Sequence, residues 1–191
     1  GVLTGTRSFT ATAGPGTILM QEPITMAEMM RIPMVVVVQQ RGGPSTATVI
    51  YSQQEARMCC YGGNGEGFRV VYSSSSHQDL YDFTIKAFNT AWKYRFPTIV
   101  LGDGYQAKMR EAVTMYDPAS RGISMVETEQ FLGAPGLPGT DREPHFHKNT
   151  YNTEEELLEV VNKLKEDYDA VRAEIEEHEC EYIDAAEIVI V

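Results

Sequence analysis

The sequence predicts an α/β fold, a parallel sheet with helices on both faces, followed by a long C-terminal helix. Three observations lead there. Short β-rich runs alternate with helix-length patterns over residues 1–101, the arrangement that builds parallel sheets. Met34–Val38 is an unbroken apolar run behind Pro33, as in a strand buried on both faces. From Thr153 onward, apolar residues recur alternately four and three apart, the pattern of a helix with one packed seam.

Taken in order, Ser8–Ala11 reads as the first strand and runs into the turn Gly14-Pro15-Gly16. Thr17 to Met30 is helical on Ile18, Leu19, Ile24, Ala27 and Met30, with Pro23 expected to kink the helix or delay its start. Met34–Val38 is the second strand and Phe68–Tyr72 the third. Ser76 and Asp79 suit a helix start, with Asp in place of the usual Glu or Gln of a capping box. Leu80, Phe83, Ala87, Phe88, Ala91 and Trp92 then mark one apolar helix face, and Pro97–Leu101 closes the series as a further buried strand. In such sheets, ligands sit at the carboxyl ends of the strands. The loops that fall there are Thr12–Gly16, Gln40–Thr46 and Gly102–Gly104.

Residues 103–150 carry little periodicity and many Gly and Pro, and read as a long surface excursion of functional or interfacial kind. Thr153-x-x-Glu156 is a capping box with acids in the first turn. The seam Leu157, Val161, Leu164, Tyr168, Val171 and Ile175 suits an intramolecular strut better than a coiled-coil dimer. Ile188–Val191 reads as the first strand of a new domain, so the chain is expected to be incomplete there. The division is then 1–105 (the α/β domain), 106–152 (the excursion), 153–180 (the acidic linker helix) and 181–191 (the start of a following domain).

Composition narrows the function. Hydrophobic residues make up 42% and charged residues 23%, a globular balance. Of 27 acidic and 16 basic residues, 154–187 hold 14 and 3, leaving 13 of each elsewhere. The net charge of −11 therefore lies on one helical segment, and a neutral body without a basic stripe argues against nucleic acid. No apolar stretch is long enough to span a bilayer and no signal-peptide pattern opens the chain, which reads as soluble and cytoplasmic. Cys59, Cys60 and Cys180 lack the spacing of iron–sulfur or zinc ligands, and Cys59-Cys60, a conceivable redox pair, reads rather as buried structural cysteines.

Two motifs carry chemistry. Thr10-Ala11-Thr12-Ala13-Gly14-Pro15-Gly16 takes a strand into a helix start, where positions without a Cβ let backbone approach a ligand. A plain tight turn between strand and helix accounts for it equally well. Gln39-Gln40-Arg41-Gly42-Gly43-Pro44-Ser45-Thr46 sets Arg41 at the carboxyl edge of the most buried strand. A guanidinium there offers a planar fork for a carboxylate; alternatively it is a surface Arg beside a Gly-Pro turn. Gly62–Gly67 does not fit a nucleotide loop, because a strand follows it where a helix is needed, and Glu66 within it is a weak general acid or base candidate. His145-Phe146-His147 lacks a third metal ligand, so a non-metal role is favoured. His77 reads as a helix-entry residue.

In series these motifs resemble one family. Thr6 to Gly16, Leu19-Met20-x-Glu22, the Pro33–Val38 strand, Gln40 to Thr46, Ala87-Phe88-Asn89 and Arg95-x-Pro97-x-Ile99-Val100-Leu101 recur in order in alpha subunits of 2-oxoacid:ferredoxin oxidoreductases. The resemblance covers residues 1–105 and is also that of the pyrimidine-binding domain of thiamine diphosphate enzymes; Leu101-Gly102-Asp103-Gly104 and the acidic helix are most similar to the 2-oxoisovalerate branch. It implies decarboxylation of a 2-oxoacid on thiamine diphosphate, electrons passing through iron–sulfur clusters to ferredoxin, and acyl transfer to coenzyme A. It aligns Arg41 with the arginine that holds the substrate carboxylate, and Thr12, Gly14, Pro15 and Gly16 with the loop near the aminopyrimidine. It further implies that Mg²⁺, the diphosphate site and the clusters belong to partners: a beta-type subunit, with gamma and ferredoxin-like subunits. The glutamate that bonds the aminopyrimidine is expected upstream of Gly1, as is a threonine near the substrate. Ala47-Thr48 replaces the Gly and Pro usual after Pro-Ser-Thr, and Asn64 stands where His is usual. A catalytically silent assembly subunit of the same fold, or an unrelated nucleotide-binding domain, are the alternative readings.

Overall fold

The computed structural model describes residues 1–48, 50–65, 67–133, 145–178, 184 and 186–188. Four parallel strands form one sheet: β1 (Phe9–Thr12), β2 (Val35–Gln40), β3 (Val70–Ser73) and β4 (Thr98–Asp103), in the order β1-β2-β4-β3. Among the described residues, five α-helices accompany them: α1 (Pro15–Leu19), α2 (Gln21–Met30), α3 (Ala56–Tyr61), α4 (His77–Tyr94) and α5 (Glu154–Ile175).

The period-two alternation of strand side chains sorts the apolar runs onto two faces. Val35, Val37, Val70, Tyr72 and Val100 point to one side, where Ala87 and Ala91 of α4 and Ile175 of α5 cover them. Val36, Val38, Ile99 and Leu101 point to the other, beneath Ile24 of α2 and Cys59 of α3. The unbroken valine run is thus explained: neither face of β2 meets water, so no polar alternation is needed.

Every strand begins or ends a little away from its sequence-based bounds. β1 and the two central strands start one residue later than expected, and the central two run on past them to Gln40 and Asp103. β3 runs from Val70 to Ser73, and the Arg69 side chain just ahead of it pairs with Glu28 of α2. The helical stretch after Gly14 is two helices broken at Met20, and Pro23 is the third residue of α2, in the first turn where its missing N–H costs nothing. α3 was not expected from the sequence.

Helix α4 begins on a complete capping box, with the Asp79 carboxylate accepting from the Ser76 N–H and the Ser76 hydroxyl accepting from the Asp79 N–H. Its first residue, His77, has Nδ1 2.7 Å from Glu111 and Nε2 2.8 Å from the Gln106 carbonyl. Both ring nitrogens face acceptors, which only the imidazolium satisfies fully. The bond to Glu111 accordingly lifts the His77 pKa above its ordinary value. A raised value means this contact stabilises fully below the ordinary imidazole range and is lost as pH rises through the folded-state value. Titration by NMR should therefore give a His77 midpoint that falls when Glu111 is replaced by Gln; an unchanged midpoint contradicts the assignment.

α5 uses its seam within the chain. Leu164 and Ile175 are buried, Tyr168 and Val171 pack on the α4 face of the sheet, and the Tyr168 hydroxyl donates to the Arg69 carbonyl at 3.0 Å. Residues 111–131 run along α4: the Tyr81 hydroxyl donates to the Tyr116 carbonyl at 2.7 Å, Asn89 bonds Ser124 and Val126, and Phe131 stacks on Trp92 with centroids 5.9 Å apart. The strand expected over 188–191 lies outside the described residues but for Ile188. Among the described residues, no helix is long and apolar enough to cross a membrane.

Candidate functional site

Since all four strands are parallel, their carboxyl ends lie along one edge. The connections from β1 and β2 run over one face of the sheet through α1, α2 and α3, whereas α4 returns from β3 to β4 over the other. The chain therefore diverges between the ends of β2 and β4, the kind of crevice in which α/β sheets bind ligands.

At that edge the loops after β1 and β2 touch. Gly14 has φ 61, and a Cβ added to it would lie 2.5 Å from both Cζ and Nη2 of Arg41 and 2.6 Å from its Nε. Only glycine fits both the left-handed backbone and the guanidinium laid against it. Pro15 opens α1, and a Cβ on Gly16 would meet the Thr12 hydroxyl at 1.9 Å. Thr12, Gly14, Pro15, Gly16 and Arg41 thus occupy one patch. Arg41 Nη1 donates to the carbonyls of Gly42 at 3.1 Å, of Ser45 at 3.0 Å and of Thr48, closing its own loop. Its Nε and Nη2 have no partner among the described residues. Ala47 in the same loop has φ 74, a conformation that favours glycine, so the expected Gly at this position has a backbone reason.

Sequence reasoning missed Glu55. It directly precedes α3 and is 4% exposed. One carboxylate oxygen accepts from the Gly14 N–H at 2.7 Å and from the Thr17 hydroxyl; the other accepts from the Arg41 N–H at 2.9 Å. A single buried carboxylate therefore ties the loop after β1 to the loop after β2. Gln53-Gln54-Glu55 has no apolar period and α3 has only six residues, so nothing in local sequence marks this residue.

The third loop completes the crevice. Glycine at 102 makes room for the Gln39 amide, whose Oε1 would lie 2.4 Å from a Cβ there, and a Cβ on Gly104 would meet the Gln40 carbonyl at 2.4 Å. The side-chain oxygens of Gln39 and Gln40 are buried without a hydrogen-bond partner among the described residues. Tyr51 and Tyr105 pair across the outer end with centroids 4.5 Å apart, and the Lys108 ammonium sits 5.0 Å from the Tyr51 ring.

Other candidates lie elsewhere. The Gly62–Gly67 loop leads into the amino end of β3, opposite the carboxyl edge, and is held by Arg69, whose Nη2 donates to the Gly62 carbonyl at 2.7 Å. Glu66 lies outside the described residues. His145 pairs with Glu129, and its ring packs with those of His147 and Phe131, a packing cluster beneath α4. The cysteine expectation needs correction: Cys59 is buried, with burial pushing its thiol up to about 12, but Cys60 is exposed because it falls on the outer side of α3. Cys180 lies outside the described residues.

Residues 1–179 match the pyruvate flavodoxin/ferredoxin oxidoreductase, thiamine diphosphate-binding family. The 2-oxoglutarate synthase subunit KorA of Methanothermobacter thermautotrophicus is 40% identical over 149 residues, covering 72% of this chain and 39% of that protein. The ketoisovalerate oxidoreductase subunit VorB of the same organism is 31% identical over 192 residues, covering 98% of this chain and 52% of that protein. Among solved structures, the 2-oxoglutarate:ferredoxin oxidoreductase of Magnetococcus marinus, with 2-oxoglutarate, coenzyme A and succinyl-CoA bound, aligns with TM-score 0.70 and 25% identity. The alignment covers 93% of this chain and 35% of that one. The chain spans about a third to a half of the length of these relatives.

Proposed function

Because the chain belongs to the pyruvate flavodoxin/ferredoxin oxidoreductase, thiamine diphosphate-binding family, we propose that it forms one wall of the active site of a 2-oxoacid:ferredoxin oxidoreductase. In this reading the pyrimidine-binding domain spans 1–105, the interfacial excursion 106–152, the linker helix 153–180 and the start of a further domain 181–191. The whole enzyme converts a 2-oxoacid and coenzyme A to an acyl-CoA and carbon dioxide, passing two electrons to ferredoxin.

The observation that carries the proposal is Arg41 packed against Gly14, with Nε and Nη2 unpaired among the described residues at the carboxyl edge of β2. That edge of a guanidinium pairs with a carboxylate through two parallel bonds. Its Nη1, spent on three carbonyls, fixes the plane of the fork before substrate arrives, which lowers the ordering cost of binding. Thiamine diphosphate, when bound, supplies the carbon nucleophile and the electron sink for decarboxylation. The residues present suit its aminopyrimidine at the turn of Thr12, Gly14, Pro15 and Gly16, which lies at the carboxyl edge beside Arg41. In this reading a beta-type partner holds the diphosphate, Mg²⁺ and iron–sulfur clusters, alongside gamma and ferredoxin-like subunits in a cytoplasmic complex. Arg41 fixes the position of the substrate carboxylate.

Two acids follow from the relatives. Likeness to VorB over nearly the whole chain favours a branched-chain 2-oxoacid, whereas the higher identity to KorA favours 2-oxoglutarate. Turnover of the assembled complex, followed by ferredoxin reduction with 2-oxoisovalerate and with 2-oxoglutarate, tests both. We expect coenzyme A-dependent reduction with 2-oxoisovalerate and a lower kcat/KM with 2-oxoglutarate. The reverse preference overturns the branched-chain assignment, and no reduction with any 2-oxoacid overturns the function itself.

A further inference from the structure

At the carboxyl edge one carboxylate is almost wholly buried and accepts three hydrogen bonds. Glu55 accepts from Gly14 in the loop after β1, from Thr17 in the first turn of α1 and from Arg41 at the end of β2. It is almost wholly buried, and so is Thr17, at 1% exposed. Charge in such a place persists only when its lone pairs are met, and here three donors meet them. Two of those donors are the backbone N–H groups of the residues whose side-chain space interlocks, Gly14 and Arg41.

We propose that Glu55 is a positioning residue: its carboxylate sets the spacing between the Gly14 loop and the Arg41 loop, and so aims the guanidinium fork at the substrate carboxylate. The inference rests on the substrate role proposed for Arg41. Its geometry is self-contained, however. If the Arg41 N–H loses its acceptor, the residue can withdraw from Gly14, and the guanidinium keeps its three carbonyl bonds while the loop that carries them shifts. The fork stays intact but points elsewhere. Substrate affinity should fall while the reacting centre, held by other groups, keeps its rate.

Glu55→Gln is the direct test, made in the assembled complex. Glutamine keeps the size and one acceptor oxygen but presents an NH₂ to one of the N–H groups. We expect KM for the 2-oxoacid to rise about tenfold, the scale of one charge-assisted hydrogen bond, with kcat nearly unchanged. Thr17→Val, close to isosteric and removing one donor, should shift KM in the same direction by less, and serves if the glutamine variant fails to fold. The decisive reading is the cycle with Arg41→Ala. If Glu55 acts through Arg41, Glu55→Gln adds little to the KM of Arg41→Ala, whereas a merely structural role gives effects that multiply. An unchanged KM in both Glu55→Gln and Thr17→Val, or a multiplicative cycle, overturns the proposal while leaving Arg41 in place. An unchanged KM in Arg41→Ala alone overturns both the substrate reading and this inference.

Discussion

Arg41→Ala raises KM for the 2-oxoacid by about ten- to a hundredfold, because a lost charge-assisted bond costs roughly 1.5–3 kcal/mol. The expectation follows from Nε and Nη2 beside Gly14, which have no partner among the described residues. Alanine also removes the Nη1 bonds to the Gly42, Ser45 and Thr48 carbonyls, so it cannot separate loop order from substrate binding. Arg41→Lys separates them. A lysine ammonium can reach carbonyls but cannot present two parallel donors, so most of the loss in KM should persist. Steady-state kinetics of the assembled complex measure both, and recovery of wild-type KM by lysine contradicts the fork.

The largest effect on stability is expected at the opposite end of the sheet. Arg69 and Glu28 form an ion pair whose side chains are 3% and 1% exposed, and Arg69 also bonds Gln21 at 3.1 Å and the Gly62 carbonyl. Arg69→Ala leaves Glu28 buried without its partner, which costs about 3–5 kcal/mol. Burial already pushes the Glu28 carboxyl above its ordinary range, with Arg69 opposing the shift. A raised carboxyl binds its proton more tightly in the folded chain, so its effect favours folding on the acid side and is lost as pH rises through the folded-state value. Removing Arg69 should lift the carboxyl further. Denaturant unfolding should therefore show Arg69→Ala losing more stability at neutral than at acid pH. A loss independent of pH would mean that Glu28 finds another partner.

Much of the fold was legible because its signals are local. Met34–Val38 reads as a buried strand since both its faces are covered, and Ser76 and Thr153 mark their helix starts because capping depends on three or four neighbouring residues. The edge strand β1 is less distinct, being largely exposed along Phe9, Thr10 and Ala11. α3 escaped notice because a six-residue helix has too few turns to show a period, and its Cys59 is buried by tertiary packing. At the site, glycines and a terminal arginine behind a buried strand pointed to the carboxyl edge. The contact between Gly14 and Arg41, and the carboxylate beneath them, could not be read, because residues 14, 17, 41 and 55 meet only once the two loops lie side by side.

The same short helix gives the molecule a clock. Cys59 and Cys60 are chemically identical neighbours, one wholly enclosed and one open to solvent. Alkylation of Cys60 proceeds from the native state, whereas Cys59, with its thiol near 12, must wait for α3 to lift from the sheet. The lag between the two labels measures how often that helix opens, and with it how often Glu55 releases the loops it joins.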